Sequence, residues 1–292
     1  MTAPDFKRLH AQLARYEAIG YTPLGRIGFT GTVEGETAQV GQGDDFHSFG
    51  RYRDGDDVRL VDWGSYARTG QLWSRRFTAN RKKKLYLAID GSGSMDVNGR
   101  VKWHTSIECA LLLHALTVQS GYEAVVLVFG SQGLEWVPTG SDGSITQASL
   151  HWLEQFKCGG PTLISSLQSL EIGTGGELCV LSDFMWDTVI QDLSQIVYAL
   201  PLELSLIRVT GDADRRVPNQ QYRDPETGQI GEVPSAERAV AQTRLNQFRD
   251  GLVGWSAQHG KLFYDWCDSN AHTAMQGWLA VRQVHSLSGG IR

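Results

Sequence analysis

"LYLAIDGSGSM", residues 85–95, is the stretch that decides the fold. An apolar run ends at Asp90, and a glycine-serine loop follows at once. A strand covered on both faces needs such a continuous apolar run, and its short length separates it from a helix. Working outward, "EAVVLVFG" (123–130), "ELCVLSDF" (177–184) and "LELSLIRVT" (202–210) read as further buried strands. "KLFYDWCD" (261–268) reads as a last strand. Helical patterns lie between them: "VKWHTSIECALLLHALTVQS" (101–120), apolar almost all round; a short helix near 146–156; and a helix from Thr162 to about Ile172. "DTVIQDLSQIVYAL" (187–200) follows, then a long helix over 235–258 and a final one over 271–285. In the long helix Ala241, Leu245, Phe248, Leu252 and Trp255 recur at intervals of four and three.

Alternation of this kind specifies an α/β fold with a doubly wound, mostly parallel sheet. Function in such sheets collects beyond the carboxyl ends of the strands. The residues found there are Asp90, Gly130, Asp183 and Thr210.

The region before the first of these strands has another character. Residues 21–80 are rich in Gly and Asp, with short alternating pieces such as "RIGFTGTVEG", "VRLVDW" and "LWSRRF". They read as β-hairpins and loops that build an N-terminal β-rich added layer. Residues 1–20 read as a short amphipathic helix without the apolar core of a signal peptide. The expected division is therefore 1–20, 21–82 and 83–292.

Composition excludes several classes. The formal charge of −5 over 292 residues gives no global pull toward nucleic acid or anionic membrane. No window approaches about 18 consecutive apolar residues, so a membrane partner is not expected. Cys109, Cys158, Cys179 and Cys267 lack metal or redox spacing and read as small core hydrophobes in a reducing, cytoplasmic setting.

Asp90, Ser92 and Ser94 alternate along an extended turn, so their oxygens can face one point. Carboxylate and hydroxyl oxygens suit Mg²⁺, with Mn²⁺ or Ca²⁺ as alternatives, and do not suit zinc. Thr162, after the tight "CGGP" turn, and Asp183, closing "ELCVLSD", are further candidates from neighbouring loops. Five groups carrying two charges leave such an ion a coordination place for a carboxylate from another molecule. Taken singly, each is an ordinary cap or loop acid; their order and placement favour the metal.

"DGSGSM", the Thr behind a glycine-rich turn and the Asp of "LSDF" resemble the metal-ion-dependent adhesion site of von Willebrand factor A domains. That resemblance implies a Rossmann-like fold in which Asp90, Ser92, Ser94 and Thr162 ligate the metal and Asp183 acts mainly from behind. Upstream, "FHSFGRYRDGDDVRLVDWGSYARTGQLWSRRF" (46–77) is similar to the signature of the bacterial domain-of-unknown-function 58 family. That family joins this segment to a von Willebrand A-like domain. It implies a non-catalytic adaptor or co-chaperone whose protein partner is a MoxR-type AAA+ ATPase. Trp186 and Met95, beside the proposed metal, are the expected partner contacts. Asp56, Asp57, Arg59, Asp62 and Arg68 mix signs densely and are expected to form a structural ion-pair network, with a partner-facing surface as the alternative.

Two rival functions have sequence support. Ser92 or Ser94 could act as a hydrolase nucleophile with His104 as base, although the GxSxG elbow is missing. "RRFTANRKKK" (75–84) packs six basic residues into ten positions, but no aromatic platform interleaves with it for nucleic acid.

Overall fold

The computed structural model describes residues 46–53, 58–77, 84–119, 122–170, 176–200, 203–211, 222–224, 228–232, 234–266, 277–278 and 280–281. The chain separates into two compact units, with the boundary near residue 82.

In the smaller unit, strands β1 (Phe46–Arg51) and β2 (Trp73–Phe77) pair antiparallel, as Gly50↔Ser74 and Arg51↔Trp73 show. The segment between them departs from the expected alternating strands. Val58–Leu60 forms a 3-10 turn, and helix α1 covers Trp63–Thr69. The cause is Asp62, whose Oδ1 accepts from the Gly64 and Ser65 backbone N–H groups at 3.0 and 3.2 Å. That is an N-cap, and it starts the helix at Trp63, while Val61 keeps a single β-bridge to Ser74. Gly70 closes the helix in the left-handed conformation at φ 67°. Arg59 and Arg68 are exposed, and Asp62 caps its helix. Asp56 and Asp57 lie outside the described residues, as do the proposed 1–20 helix, residues 78–83, Cys267 and most of 271–285.

The larger unit is built on a six-stranded sheet in the order β10-β7-β6-β3-β4-β5. Its strands are β3 (Lys84–Asp90), β4 (Glu123–Gly130), β5 (Gly133–Trp136), β6 (Glu177–Ser182), β7 (Glu203–Val209) and β10 (Leu262–Trp266). A two-stranded ribbon, β8 (Tyr222–Arg223) and β9 (Ile230–Gly231), lies between β7 and β10 in sequence. All pairings in the large sheet are parallel except that of the edge strand β5 with β4. In register, Leu87 sits beside Val126 on one side and Cys179 on the other.

Helices cover both faces. Leu85, Leu87 and Ile89 pack with Trp103, Ile107 and Leu111 of α2 (Val97–Gln119) and with α3 (Gln147–Gln155). Tyr86 and Ala88 point the other way, onto Leu193 and Ile196 of α4 (Val189–Ala199) and Leu252 and Trp255 of α5 (Arg238–Gln258). The period of two in a strand, with both faces buried, explains why 85–89 is apolar throughout. Residues 106–114 of α2 are all buried, matching its lack of a polar face. Cys109 and Cys179 are buried free thiols, and burial pushes the Cys158 thiol up to about 12. Among the described residues no helix is long and apolar enough to cross a membrane.

One predicted helix is much reduced. The segment after Thr162 forms a 3-10 helix over Ile164–Ser169, with no side-chain cap. Thr162 supplies no cap because its hydroxyl is turned elsewhere.

Candidate metal centre

The chain leaves β3 toward β4 on one side and later crosses to β6 on the other. The crevice between the carboxyl ends of β3 and β6 is therefore a topological switch point, where doubly wound sheets place ligands. Asp90 ends β3, and Ser182 with Asp183 ends β6.

Asp90 is fully buried and is held by neutral donors from the loop after β3, from Thr162 and from the end of β6. Its Oδ1 accepts from Ser92 N–H at 2.9 Å. Its Oδ2 accepts from Thr162 Oγ1–H at 3.1 Å and from Ser182 Oγ–H at 2.6 Å. Ser92 and Ser94 hydroxyls lie 3.1 Å apart. Ser94 and Thr162 each keep 9 % exposure, whereas Asp90 and Ser92 keep none, so the cluster meets solvent through those two residues.

Backbone contacts deliver Thr162 to this point. Gly93 N–H donates to Gly160 O at 2.9 Å, and Gly159 N–H donates to Gly91 O at 3.0 Å. The "CGGP" turn is thereby bonded directly to the loop after β3. Both ends of the contact need glycine. A Cβ on Gly91 would stand 2.8 Å from Phe156 and Val128 side-chain atoms, and Gly160 has φ +69° with Ser131 Oγ 2.6 Å from its would-be Cβ.

Asp183 is placed differently. Its Oδ2 accepts from the Lys102 ammonium at 2.7 Å, and its Oδ1 from Met185 N–H at 3.2 Å. Both side chains of this ion pair are buried. Removing one partner of such a pair alone costs about 3–5 kcal/mol, because the other charge is stranded. Ser182 Oγ also accepts from Phe184 N–H at 2.9 Å, bracing a residue with φ 55°. That left-handed non-glycine residue is fixed by its buried ring and by this bond.

The donor set suits a hard cation. Every group is an oxygen, and among the described residues no cationic side chain pairs with Asp90. Burial first, and then the charge of Asp183, raise the Asp90 carboxyl to about 6. A carboxylate under that strain gains from a nearby cation. No group of three or more His, Cys, Asp or Glu side chains that could hold a metal ion is assembled among the described residues.

All five sequence candidates, Asp90, Ser92, Ser94, Thr162 and Asp183, lie at the ends of β3 and β6 or on the turn bonded to them. Two expectations need correction or addition. Met95 is fully buried, so it faces the core and cannot contact a partner. Trp186 is half-buried; its Nε1–H donates to Asp192 Oδ2 at 2.9 Å, and its ring stacks on Phe184. The exposed apolar side chains next to the cluster are Leu163 and Met185. Sequence reasoning missed Ser182 and Lys102. Neither Ser92 nor Ser94 is bonded to a histidine among the described residues, and His104 Nδ1 has no hydrogen-bond partner.

Comparison with known proteins gives a family but no activity. The model of the family described as "Protein of unknown function DUF58" matches residues 48–250. No curated protein matches the chain. Among solved structures, the chain is similar to an aerotolerance-related membrane protein from Bacteroides fragilis NCTC 9343 carrying multiple mutations to serine. The identity is 13 % and the TM-score 0.38, over 69 % of this chain and 99 % of that one. It is similar also to the PilB minor pilin from Streptococcus sanguinis, at 12 % identity and TM-score 0.36, over 74 % of this chain and 64 % of that one. At these scores neither likeness adds to the fold described above.

Proposed function

The chain belongs to the DUF58 family of proteins of unknown function, and on that footing we propose that it is a non-catalytic, metal-dependent protein-interaction module. Asp90, Ser92, Ser94 and Thr162 would hold Mg²⁺, or Mn²⁺ or Ca²⁺ in its place, with Asp183 supporting from behind. This is the arrangement of a metal-ion-dependent adhesion site in a von Willebrand factor A-like domain. When bound, the ion supplies a positive, ligand-hungry centre for a carboxylate of another protein.

The observation that carries the reading is the convergence on Asp90. Hydroxyls from the end of β6 and from the residue after the "CGGP" turn donate to one buried carboxylate oxygen, at 2.6 and 3.1 Å. The end of β6 and the segment after the "CGGP" turn are thus held on one oxygen at the switch point. The chain's own residues do three things: Asp90 provides the charge, the hydroxyls complete an all-oxygen cradle, and Gly91 and Gly160 let the loops close. Leu163 and Met185 give the site an exposed apolar flank on which a protein partner can pack.

The partner assigned to it, on the family resemblance, is a MoxR-type AAA+ ATPase engaged through an acidic side chain. Capture of such an ATPase from solution by the immobilised chain is expected in Mg²⁺ and lost in chelator or with Asp90→Ala. Equal capture under all three conditions counts against the proposal.

A further inference from the structure

The two carboxylates at the switch point are treated in opposite ways. Among the described residues Asp90 meets neutral donors, hydroxyls and a backbone N–H. Asp183 meets a full positive charge, with Lys102 Nζ 2.7 Å from Oδ2, while Met185 N–H occupies Oδ1 at 3.2 Å. Both oxygens of Asp183 are therefore engaged by the protein itself. Lys102 cannot swing away freely. It stands in the early turns of α2 beside the fully buried Trp103 and Ser106, and its side chain keeps only 5 % exposure.

Resting on the metal reading above, we infer that Lys102 is the site's built-in counter-charge and sets its affinity for the cation. By engaging Asp183 it keeps that carboxylate out of direct ligation and leaves the cation to Asp90 and the hydroxyls. The charge balance has a consequence. Asp90, Asp183 and Lys102 sum to one net negative charge, and a divalent cation turns this into one net positive charge. That surplus draws a single carboxylate from outside. Without Lys102 the same ion would be fully neutralised from within, held more tightly and left with less attraction for a partner's acid.

The experiment is a Mn²⁺ titration of the full chain, following free Mn²⁺ by electron paramagnetic resonance, with circular dichroism to establish folding. Lys102→Met is expected to tighten Mn²⁺ binding by at least about tenfold. The double variant K102M/D183N exchanges the ion pair for two neutral side chains of similar shape, a change buried pairs commonly tolerate. It is expected to lose the gain shown by K102M, because the carboxylate charge that Lys102 had balanced is gone as well. Weaker or unchanged binding by a folded K102M overturns the inference. So does a loss of about a hundredfold in the double variant, which would make Asp183 a direct ligand. If K102M does not fold, Lys102→Gln, which removes the charge but keeps a hydrogen-bond donor toward Asp183, takes its place with the same expected result. These results overturn the role of Lys102 and leave the metal site standing; a folded, unaltered chain that binds no Mn²⁺ contradicts the site and the inference together.

Discussion

Ser182 Oγ donates to Asp90 Oδ2 at 2.6 Å, and the same oxygen accepts from Phe184 N–H at 2.9 Å. One hydroxyl at the end of β6 thus ties the central strand's carboxylate to the turn that carries Asp183. Hydrogen bonds to a buried charged group are worth about 1.5–3 kcal/mol. Ser182→Ala is expected to lower the unfolding free energy by an amount in that range, read from chemical denaturation. Ser182→Thr, which keeps a hydroxyl, should recover part of it. An alanine variant as stable as the parent would remove Ser182 from the site.

Gly160 is the second structural requirement. Its positive φ strains any side chain, and the added Cβ would collide with Ser131. Gly160→Ala is expected to cost at least about 1 kcal/mol. Ser131→Gly in the same chain should relieve the collision but not the backbone strain, so recovery is expected to be partial. Full recovery would show that φ at this position is unimportant.

How much of this was legible in the sequence depends on what each residue is bonded to. Asp90, Ser92 and Ser94 announce themselves because glycines and hydroxyls interrupt an apolar run. Ser182 does not, since a small polar residue at the end of "ELCVLS" looks like any strand terminus. Lys102 left a faint signal. A lysine inside a helix that is apolar all round must find a counter-charge, but its partner lies 81 residues away. The helix expected from Thr162 is only a 3-10 helix from Ile164, because the hydroxyl that reads as a cap donates to Asp90 instead. The strand expected at "VRLVDW" is reduced to a 3-10 turn over Val58–Leu60 and a single bridge from Val61 to Ser74, and Asp62, bonded to its own backbone neighbours, opens a helix at Trp63. The sheet was readable because its strands are buried on both faces, a condition local composition reports directly.

That cap supplies a prediction for the smaller unit. Asp62→Ala removes the acceptor for Gly64 and Ser65 N–H and is expected to destabilise α1 by about 1 kcal/mol. Hydrogen exchange at the amides of residues 64 and 65 should quicken, while exchange in the sheet around β3 stays unchanged. Unaltered exchange at both amides would contradict the assigned cap.

His114 makes stability depend on pH. Burial within α2 lowers its proton affinity below the ordinary histidine value of 6.5, against smaller opposing contributions from backbone groups of Gly143 and Ala124. Since the unfolded chain takes up the proton first, stability is complete above pH 6.5 and falls as pH drops through and below that value. His114→Gln is expected to flatten the decline in melting temperature on acidification. An identical decline in the variant would assign the acid sensitivity to other groups.

The central claim is that Asp90 and the hydroxyls around it bind a hard cation, and the most direct measurement counts that ion. Mn²⁺ titrated into the unaltered chain and into Asp90→Asn, with free ion followed by electron paramagnetic resonance, should reveal a saturable site in the first. That site should vanish in the second while both remain folded. No saturable binding in the unaltered chain, or undiminished binding by folded Asp90→Asn, would contradict the claim.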